Sequence, residues 1–183
     1  LLVMAAGVRP NIDWLNNSVQ IDKGIMVDVY MASSQADVYA AGDVAQSHDR
    51  FSVSTGLTPL WPFAYRQGRV AGANMAGQVT PHQPEPAFNS LPLLGLNIVT
   101  AGLSSTLDPT YEYMIERKDP WHYKKLVISE NRLIGFIFTG DISRAGIYRF
   151  LIEEEIDLSN FKQQLLTDNF GMIDLPVQYR VAK

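Results

Sequence analysis

The 183-residue sequence contains no cysteine, which excludes several kinds of site from this chain. It offers no thiol for a disulfide, for a thiolate metal centre or for a redox dithiol. Histidine is also scarce, with three copies. His48 and His82 have no second ligand at a spacing typical of metal sites, so we interpret them as solvated loop residues and expect no bound metal.

Basic residues are too few and too scattered to form a patch. The net charge of -4 excludes the electrostatic surface expected for a nucleic-acid partner. Long apolar runs are also missing, because residues 91–96 and 133–138 are too short to span a membrane. The hydrophobic content of 46% nevertheless supports a buried core, so we expect a folded cytoplasmic protein.

The N-terminal residues 1–7 form an apolar, strand-like run with neither an initiator Met nor a signal-peptide pattern. We therefore expect that this sequence is cut from a longer protein, whose upstream part supplied the neighbouring strands. After this run, Pro10 disfavours helix at Arg9 and Asn11 suits a turn, which predicts a crossover loop.

Two further strand signals precede the middle of the chain. Residues 19–31 alternate apolar and polar side chains on either side of Asp22-Lys23-Gly24, which predicts a β-hairpin with one solvated face. Residues 37–41 form a short apolar run that stops at Gly42-Asp43, as a buried strand does when it ends in a tight turn. The ligand side of such a strand end faces a crevice.

A helix is predicted between Pro62 and Gly77. Proline suits the first turn of a helix and glycine suits the position after its end. Gly68, Gly72 and Ala76 are spaced four residues apart, so they share one helix face. That face has room to lie very close either to the backbone of a sheet or to a cofactor.

The second half begins after a proline-rich segment, residues 78–92, which we interpret as a linker. The predicted domains are therefore residues 1–80 and 81–183. The predicted strands are residues 96–101, 111–117, 123–129 and 133–139, with a hairpin turn at Glu130-Asn131. Helices are predicted at 143–156, with Ser143 as the N-cap, and at 158–166.

The residues that carry chemistry follow the strand at 37–41. Gly42 has no side chain, so a ligand can approach its backbone, and the Asp43 carboxylate can accept hydrogen bonds from hydroxyl groups. The segment from Ala36 to Ala45, ADVYAAGDVA, is similar to the second FAD fingerprint of the pyridine nucleotide oxidoreductases.

Three other segments resemble the same family in order and spacing. Residues 6–11 resemble the exit from the NAD-binding domain, and residues 61–77 resemble the helix whose N-terminus points at the flavin. Residues 90–96 resemble the start of the C-terminal interface domain. The resemblance implies an α/β segment of an FAD-binding domain followed by a small α+β domain, an antiparallel sheet plus helices, that supports dimerisation or acceptor docking.

The resemblance also implies cofactors and site residues. FAD would be bound in the full-length protein, and NAD(P)H would be bound by an upstream domain. The resemblance places Asp43 at the ribityl hydroxyls and Gly42 at a close backbone approach. It places the backbone amide of Val44 near the pyrophosphate or the ribityl chain. The flavin-facing helix end would consist of Trp61, Pro62 and Phe63. A homodimer and a redox-protein acceptor are implied as partners.

The sequence departs from the family in two ways. No GxGxxG fingerprint for FAD or NAD(P)H is present, and the His and Glu acid–base pair of glutathione and lipoamide reductases is not recognisable. These departures favour the branch that contains NADH oxidases, rubredoxin and ferredoxin reductases and the nitrite reductase large subunit. The fragment alone is expected to be inactive.

Two other interpretations stay open at this point. The chain would be a non-catalytic interaction module if the flavin site were incomplete. It would belong to a redox disulfide enzyme if cysteines lay upstream. The preference for NADH or NADPH is set by residues of the nucleotide fold, which this sequence does not contain.

Overall fold

The computed structural model describes residues 1–15, 18–48, 50–51 and 55–180, which form two compact units, Leu1–Glu85 and Pro86–Lys183. The first unit contains strands β1 (Ile25–Met26), β2 (Ala45–His48) and β3 (Thr55–Leu57) and helix α1 (Trp61–Met75). Strand β1 pairs parallel with β2, and β2 pairs antiparallel with β3. One-turn 3-10 helices lie at Asp13–Leu15 and Gly42–Val44.

Helix α1 confirms the predicted helix and shows which of its faces is buried. Phe63, Gln67 and Ala71 lie four residues apart and are the buried residues of the helix. The face that carries Gly68 and Gly72 is exposed, and a side chain added at either glycine would meet no atom within 4 Å. This glycine face therefore packs against no described part of the chain, and its closeness to a ligand stays a prediction.

The core of the first unit is small, and half of it is built from loop residues. Eight buried residues form it: Leu15, Val19, Ile25, Val27, Met31, Ala40, Ala45 and Ala71. Val19, Val27, Met31 and Ala40 lie outside the named helices and strands, so half of this core depends on turns that bring loop residues together.

The predicted N-terminal strand is not formed. Residues 1–7 have no secondary structure and are exposed. A strand needs a partner for its backbone hydrogen bonds, and none of the described strands pairs with this segment.

The predicted hairpin at 19–31 is also wrong. It is reduced to one bridge between Ile21 and Ile25, and β1 pairs instead with β2. The physical reason is a turn at Asp28, whose Oδ1 accepts hydrogen bonds from the backbone N–H groups of Tyr30 and Ala32. Such an aspartate turn competes with a continued strand ladder.

The segment 37–41 forms no regular strand, contrary to prediction. Tyr39 makes an isolated bridge to Ala32, and Asp37 has a positive φ of 62°. The Val38 amide donates to the Gln35 carbonyl oxygen, so the chain turns at this point instead of extending. The regular strand, β2, begins only after the Gly42–Val44 turn.

The predicted linker is partly ordered structure. Residues 78–85 lie along α1, where Asn74 Nδ2 donates to the Thr80 carbonyl oxygen at 2.7 Å and Thr80 N donates to Asn74 Oδ1 at 2.9 Å. Arg66 pairs with Glu85, and the backbone N–H of His82 donates to Val29 O. His82 is only 8% exposed, so its interpretation as a solvated residue is wrong.

The second unit is organised around one antiparallel sheet, which confirms the predicted α+β architecture. Its strands are β4 (Phe88–Leu93), β5 (Leu96–Gly102), β6 (Glu112–Arg117), β7 (Tyr123–Ser129) and β8 (Arg132–Thr139), in the order β4-β5-β8-β7-β6. Strand β4 begins inside the predicted linker. The predicted turn at Glu130-Asn131 is confirmed by positive φ at both residues, which suits a two-residue hairpin.

Helix α2 (Ala145–Glu153) packs on the sheet through an aromatic cluster. The Tyr148 ring lies 4.6 Å from Phe138 and 5.5 Å from Phe170, measured between ring centroids. The predicted Ser143 cap is wrong, because Arg144 occupies the N-cap position with a positive φ of 63°.

The C-terminal residues 157–180 complete this core. Their buried side chains are Leu158, Phe161, Leu165, Phe170 and Leu175. The predicted helix at 158–166 shortens to a 3-10 helix, Lys162–Leu166, because the Asp157 carboxylate accepts the Ser159 N–H and bends the chain. Arg144 Nη1 holds the segment by donating to Phe170 O at 2.8 Å.

One buried cation holds a loop in this unit. Lys125 is 5% exposed, and its Nζ donates to the carbonyl oxygens of Ser104 at 3.1 Å and Thr106 at 2.8 Å. The same ammonium lies 5.1 Å from the centre of the Tyr113 ring. These contacts fix the connection between β5 and β6. Among the described helices, none has the length and apolar content to cross a bilayer.

We predict that the first unit becomes less stable as pH falls from about 7.5 to about 5.5, one unit either side of the ordinary histidine pKa. Burial lowers the pKa of His82, with Glu85 opposing and Arg66 adding to the shift. The unfolded chain therefore takes up a proton near the ordinary pKa of 6.5 before the folded chain does, which favours unfolding. Urea denaturation across this pH range measures the effect.

The control is the exposed His48. We expect His82→Gln to flatten the pH dependence and His48→Gln to leave it unchanged. Equal slopes for wild type and His82→Gln would contradict the prediction.

In the second unit, we predict that Tyr148→Phe lowers the free energy of unfolding by about 1–3 kcal/mol. The buried Tyr148 hydroxyl donates to the Leu165 carbonyl oxygen, which the substitution leaves without a donor. Tyr113→Phe is the matched control, because its hydroxyl donates to Asp108 O at an exposed position. Thermal or urea denaturation should show a small effect, below about 0.5 kcal/mol, for the control. Similar losses for both variants would refute the argument.

Candidate functional site

The candidate site begins at the turn Gly42–Val44, which connects Ala41 to β2. Gly42 has a φ of +78°, a left-handed conformation that favours glycine. A Cβ at this position would lie 3.3 Å from Ala64 Cβ on α1. The turn therefore packs directly against the first part of the helix, and Gly42 is needed for both its conformation and its closeness to α1.

A buried glutamine fixes the distance between turn and helix. Gln67 is 2% exposed, and its Oε1 accepts a hydrogen bond from the Gly42 N–H at 2.8 Å. Its Nε2 donates to Ser47 Oγ, in β2, at 3.1 Å. One side chain from α1 thus contacts the chain on both sides of Asp43.

Asp43 is exposed, and no described residue donates a hydrogen bond to its carboxylate. Its neighbour Val44 is half-buried and packs against the core of the first unit. The Val44 carbonyl oxygen lies so close to Gly24 that a Cβ there would approach it to 2.6 Å. The turn is therefore anchored by Val44 and Gly42, while the carboxylate between them faces outward.

The N-terminus of α1 lies beside this turn. Leu60 is the N-cap and makes no side-chain capping hydrogen bond, and the first turn contains no acidic residue. Phe63 N and Ala64 N both donate to Leu60 O, which leaves the amide of Trp61 at the open end of the helix. An uncapped helix N-terminus carries partial positive charge and attracts electron-rich groups.

The three residues predicted at this helix end lie in different environments. Trp61 is 81% exposed and stacks on Tyr65, with 6.3 Å between ring centroids. Pro62 is exposed in the first turn. Phe63 is 7% exposed and belongs to the buried face of α1, so its side chain supports the helix from within.

The structure therefore brings Gly42, Asp43 and Val44 together with the start of α1 at one surface. Sequence reasoning missed Gln67, Ser47 and Tyr65. A signal for Gln67 was present, because a polar residue stands between Phe63 and Ala71 on the helix face that is otherwise apolar. Ser47 gave no comparable signal, since serine is common near strand ends and turns.

The residues present fit the flavin that the resemblance implies. An exposed carboxylate without a donor suits a polyol chain, and a neighbouring helix N-terminus suits the electron-rich side of a reduced isoalloxazine. Trp61 and Tyr65 add an exposed aromatic surface at the same helix end. The carboxylate, the helix N-terminus and the two aromatic rings all lie in the first unit.

A separate cleft of about 330 Å³ lies in the second unit and contains one histidine–carboxylate pair. His122 Nδ1 lies 2.8 Å from Asp119 Oδ2. Asp119 Oδ1 accepts hydrogen bonds from the amides of Trp121 and His122, and the bonds from Trp121 and from the His122 ring lower the pKa of Asp119. The carboxylate beside His122 is thus that of an aspartate, and not the glutamate found in the acid–base pair of glutathione and lipoamide reductases.

Two family models match the chain, one in each unit. Residues 1–68 match the model described as pyridine nucleotide-disulphide oxidoreductase, and residues 87–156 match the rubredoxin NAD+ reductase C-terminal domain. The resemblance predicted from the motifs is confirmed by these matches, and so is the mixed α/β and α+β fold class.

Individual relatives agree with the family models. The chain is 27% identical over 162 residues to nitrite reductase [NAD(P)H] of Bacillus subtilis, covering 87% of this chain and 19% of that protein. It is 28% identical over 143 residues to NADH-rubredoxin oxidoreductase of Clostridium acetobutylicum, covering 78% of this chain and 36% of that protein. The chain thus spans well under half the length of these curated relatives.

A solved structure shows the same likeness in three dimensions. The crystal structure of NADH:rubredoxin oxidoreductase from Clostridium acetobutylicum superposes with a TM-score of 0.66 at 26% sequence identity. The match covers 86% of this chain and 40% of that chain.

We predict that Gly42→Ala destabilises the first unit by about 1–2 kcal/mol, because an alanine must adopt the left-handed conformation close to Ala64. Gly68→Ala is the matched control. It lies in the interior of α1 with open space around its Cα, so alanine should stabilise the helix by about 0.5–1 kcal/mol. Urea denaturation of the 183-residue chain measures both, and opposite signs are expected. Destabilisation by both substitutions alike would count against the described geometry.

Proposed function

We propose that this chain, whose two units match the pyridine nucleotide-disulphide oxidoreductases and the rubredoxin reductase C-terminal domain, contributes part of the FAD site of an NAD(P)H-dependent oxidoreductase. One observation carries the proposal. The Gly42–Val44 turn packs on the first turns of α1 and presents the Asp43 carboxylate, without a described partner, beside an uncapped helix N-terminus.

Each residue has a distinct part in the proposed site. The Asp43 carboxylate accepts hydrogen bonds from the ribityl hydroxyls, and Gly42 allows the turn to lie against α1. Val44 anchors the turn and offers its backbone amide to the cofactor. The open helix end, at Trp61 and Pro62, faces the flavin ring, and Phe63 keeps that end fixed by its burial.

The proposed reaction is transfer of electrons from NAD(P)H to an acceptor that is a redox protein or a small molecule. A bound flavin supplies this chemistry by accepting a hydride from the nicotinamide and releasing electrons one or two at a time. The names of the relatives, NADH-rubredoxin oxidoreductase and nitrite reductase, support this reaction class.

The second unit is proposed to support dimerisation or acceptor docking. Its match to the rubredoxin NAD+ reductase C-terminal domain supports this role. The domain limits predicted from the sequence, 1–80 and 81–183, belong to the same proposal. A cytoplasmic location, which the sequence led us to expect, belongs to the same proposal.

We predict that Asp43→Ala in the full-length protein weakens FAD binding by about 10- to 100-fold, the range expected when a charged hydrogen-bond acceptor is lost. The dissociation constant is measured by titrating apoprotein with FAD and following flavin fluorescence. Asp13→Ala is the matched control, because Asp13 is 85% exposed and its ion pair with Arg9 is long, at 3.9 Å.

A yellow full-length protein that is bleached by NADH supports the proposal. A full-length protein that binds no FAD would support the non-catalytic module instead. An Asp43→Ala variant with unchanged affinity for FAD would remove Asp43 from the site.

A further inference from the structure

Gln67 is the polar member of the buried face of α1. Phe63 and Ala71, one turn before and one turn after it, are buried apolar residues. A primary amide in such a position is costly unless both its oxygen and its nitrogen are hydrogen bonded. Both are bonded here, which indicates that the site around Gln67 is built to hold an amide.

The two partners of Gln67 lie on either side of Asp43. The Gly42 N–H donates to Oε1 at 2.8 Å, and Nε2 donates to Ser47 Oγ at 3.1 Å. Ser47 is itself 5% exposed. The side-chain amide therefore ties the start of the turn and the following strand β2 to one point on α1.

The bond to Gly42 also fixes the direction of the turn. Gly42 adopts a left-handed conformation, and glycine can leave that conformation at little steric cost. Gln67 Oε1 lies 2.8 Å from the Gly42 nitrogen and accepts its hydrogen bond. This bond restrains the peptide group between Ala41 and Gly42. Because Asp43 is the next residue, the orientation of its carboxylate depends on this restraint.

We propose that Gln67 is a positioning residue for the flavin site and acts through the Gly42–Asp43 turn. The inference rests on the proposed function, because it gives Gln67 a role only where Asp43 contacts the cofactor. Gln67 itself contacts no cofactor in this proposal. It sets the angle at which the Asp43 carboxylate meets the ribityl chain relative to the N-terminus of α1.

A double-mutant cycle in the full-length protein tests the proposal. Gln67→Met keeps the length and apolar packing of the side chain but removes both hydrogen bonds. We expect it to raise the FAD dissociation constant about tenfold when Asp43 is present, and less than about twofold in the Asp43→Ala background. Loss of affinity that depends on Asp43 is a result that a purely structural role would not give.

The matched control is Gln78→Met, which makes the same substitution at an exposed glutamine just after α1. It should leave FAD affinity unchanged in both backgrounds. Thermal denaturation of each variant shows that the compared proteins are folded.

If Gln67→Met does not fold, Ser47→Ala replaces it in the cycle, because it removes the partner of Nε2 while keeping the bond to Gly42. We expect a smaller loss for Ser47→Ala, about threefold, again dependent on Asp43.

The outcomes separate the two claims. Equal losses of affinity in the Asp43 and Asp43→Ala backgrounds, or no loss in either, overturn the role of Gln67 and leave the proposed function standing. Unchanged affinity in Asp43→Ala alone removes Asp43 from the site, and the role of Gln67 falls with it. The proposed function itself is overturned by a full-length protein that binds no FAD.

Discussion

The first unit depends on the amide of Gln67 being hydrogen bonded at both ends inside an apolar helix face. A buried donor or acceptor without a partner costs about 1–3 kcal/mol, a large part of the stability of a small domain. The turn at Gly42 and the start of β2 must therefore stay within reach of α1. Because this requirement fixes three separate segments at once, it determines the surface on which Asp43 is exposed.

The same physical device recurs in several loops of the described chain. Gln46 Oε1 accepts hydrogen bonds from the amides of Lys23 and Gly24, and Asn74 fastens residues 78–80 to α1. In the second unit, Lys125 holds two loop carbonyls and Arg144 holds the C-terminal segment. Long side chains with several donors or acceptors replace the backbone ladders that these loops do not form. Polar groups thus define the loops, while apolar groups fill the two cores.

The sequence predicted those elements whose local pattern agrees with their final environment. Strand β7 and the hairpin at Glu130-Asn131 were predicted correctly, because β-branched and aromatic residues flank a turn that both residues tolerate. Helix α1 was predicted correctly, because proline in its first turn and glycine just after its end agree with its observed limits. Residues 19–31 were mispredicted, because the alternation of apolar residues there reflects burial of single loop side chains around the Asp28 turn.

The candidate site was predictable in part. The Gly42-Asp43 pair and the helix that follows it carry local signals, so their presence could be inferred from the chain alone. Their packing could not, because the contact between Gly42 and Ala64 and the bridge through Gln67 join residues twenty or more positions apart. A single sequence contains no measure of such long-range pairing, and a glutamine on a helix is usually a surface residue.

The C-terminal segment of the second unit has an evolutionary consequence. The matched domain model ends at residue 156, yet Leu158, Leu165 and Phe170 lie in the same core as the sheet and α2. Recombination that transferred only the matched residues to another protein would leave those apolar positions empty. The folding unit is therefore longer than the residues that match the domain model, and the tail must either travel with the sheet or be replaced by a segment of similar volume.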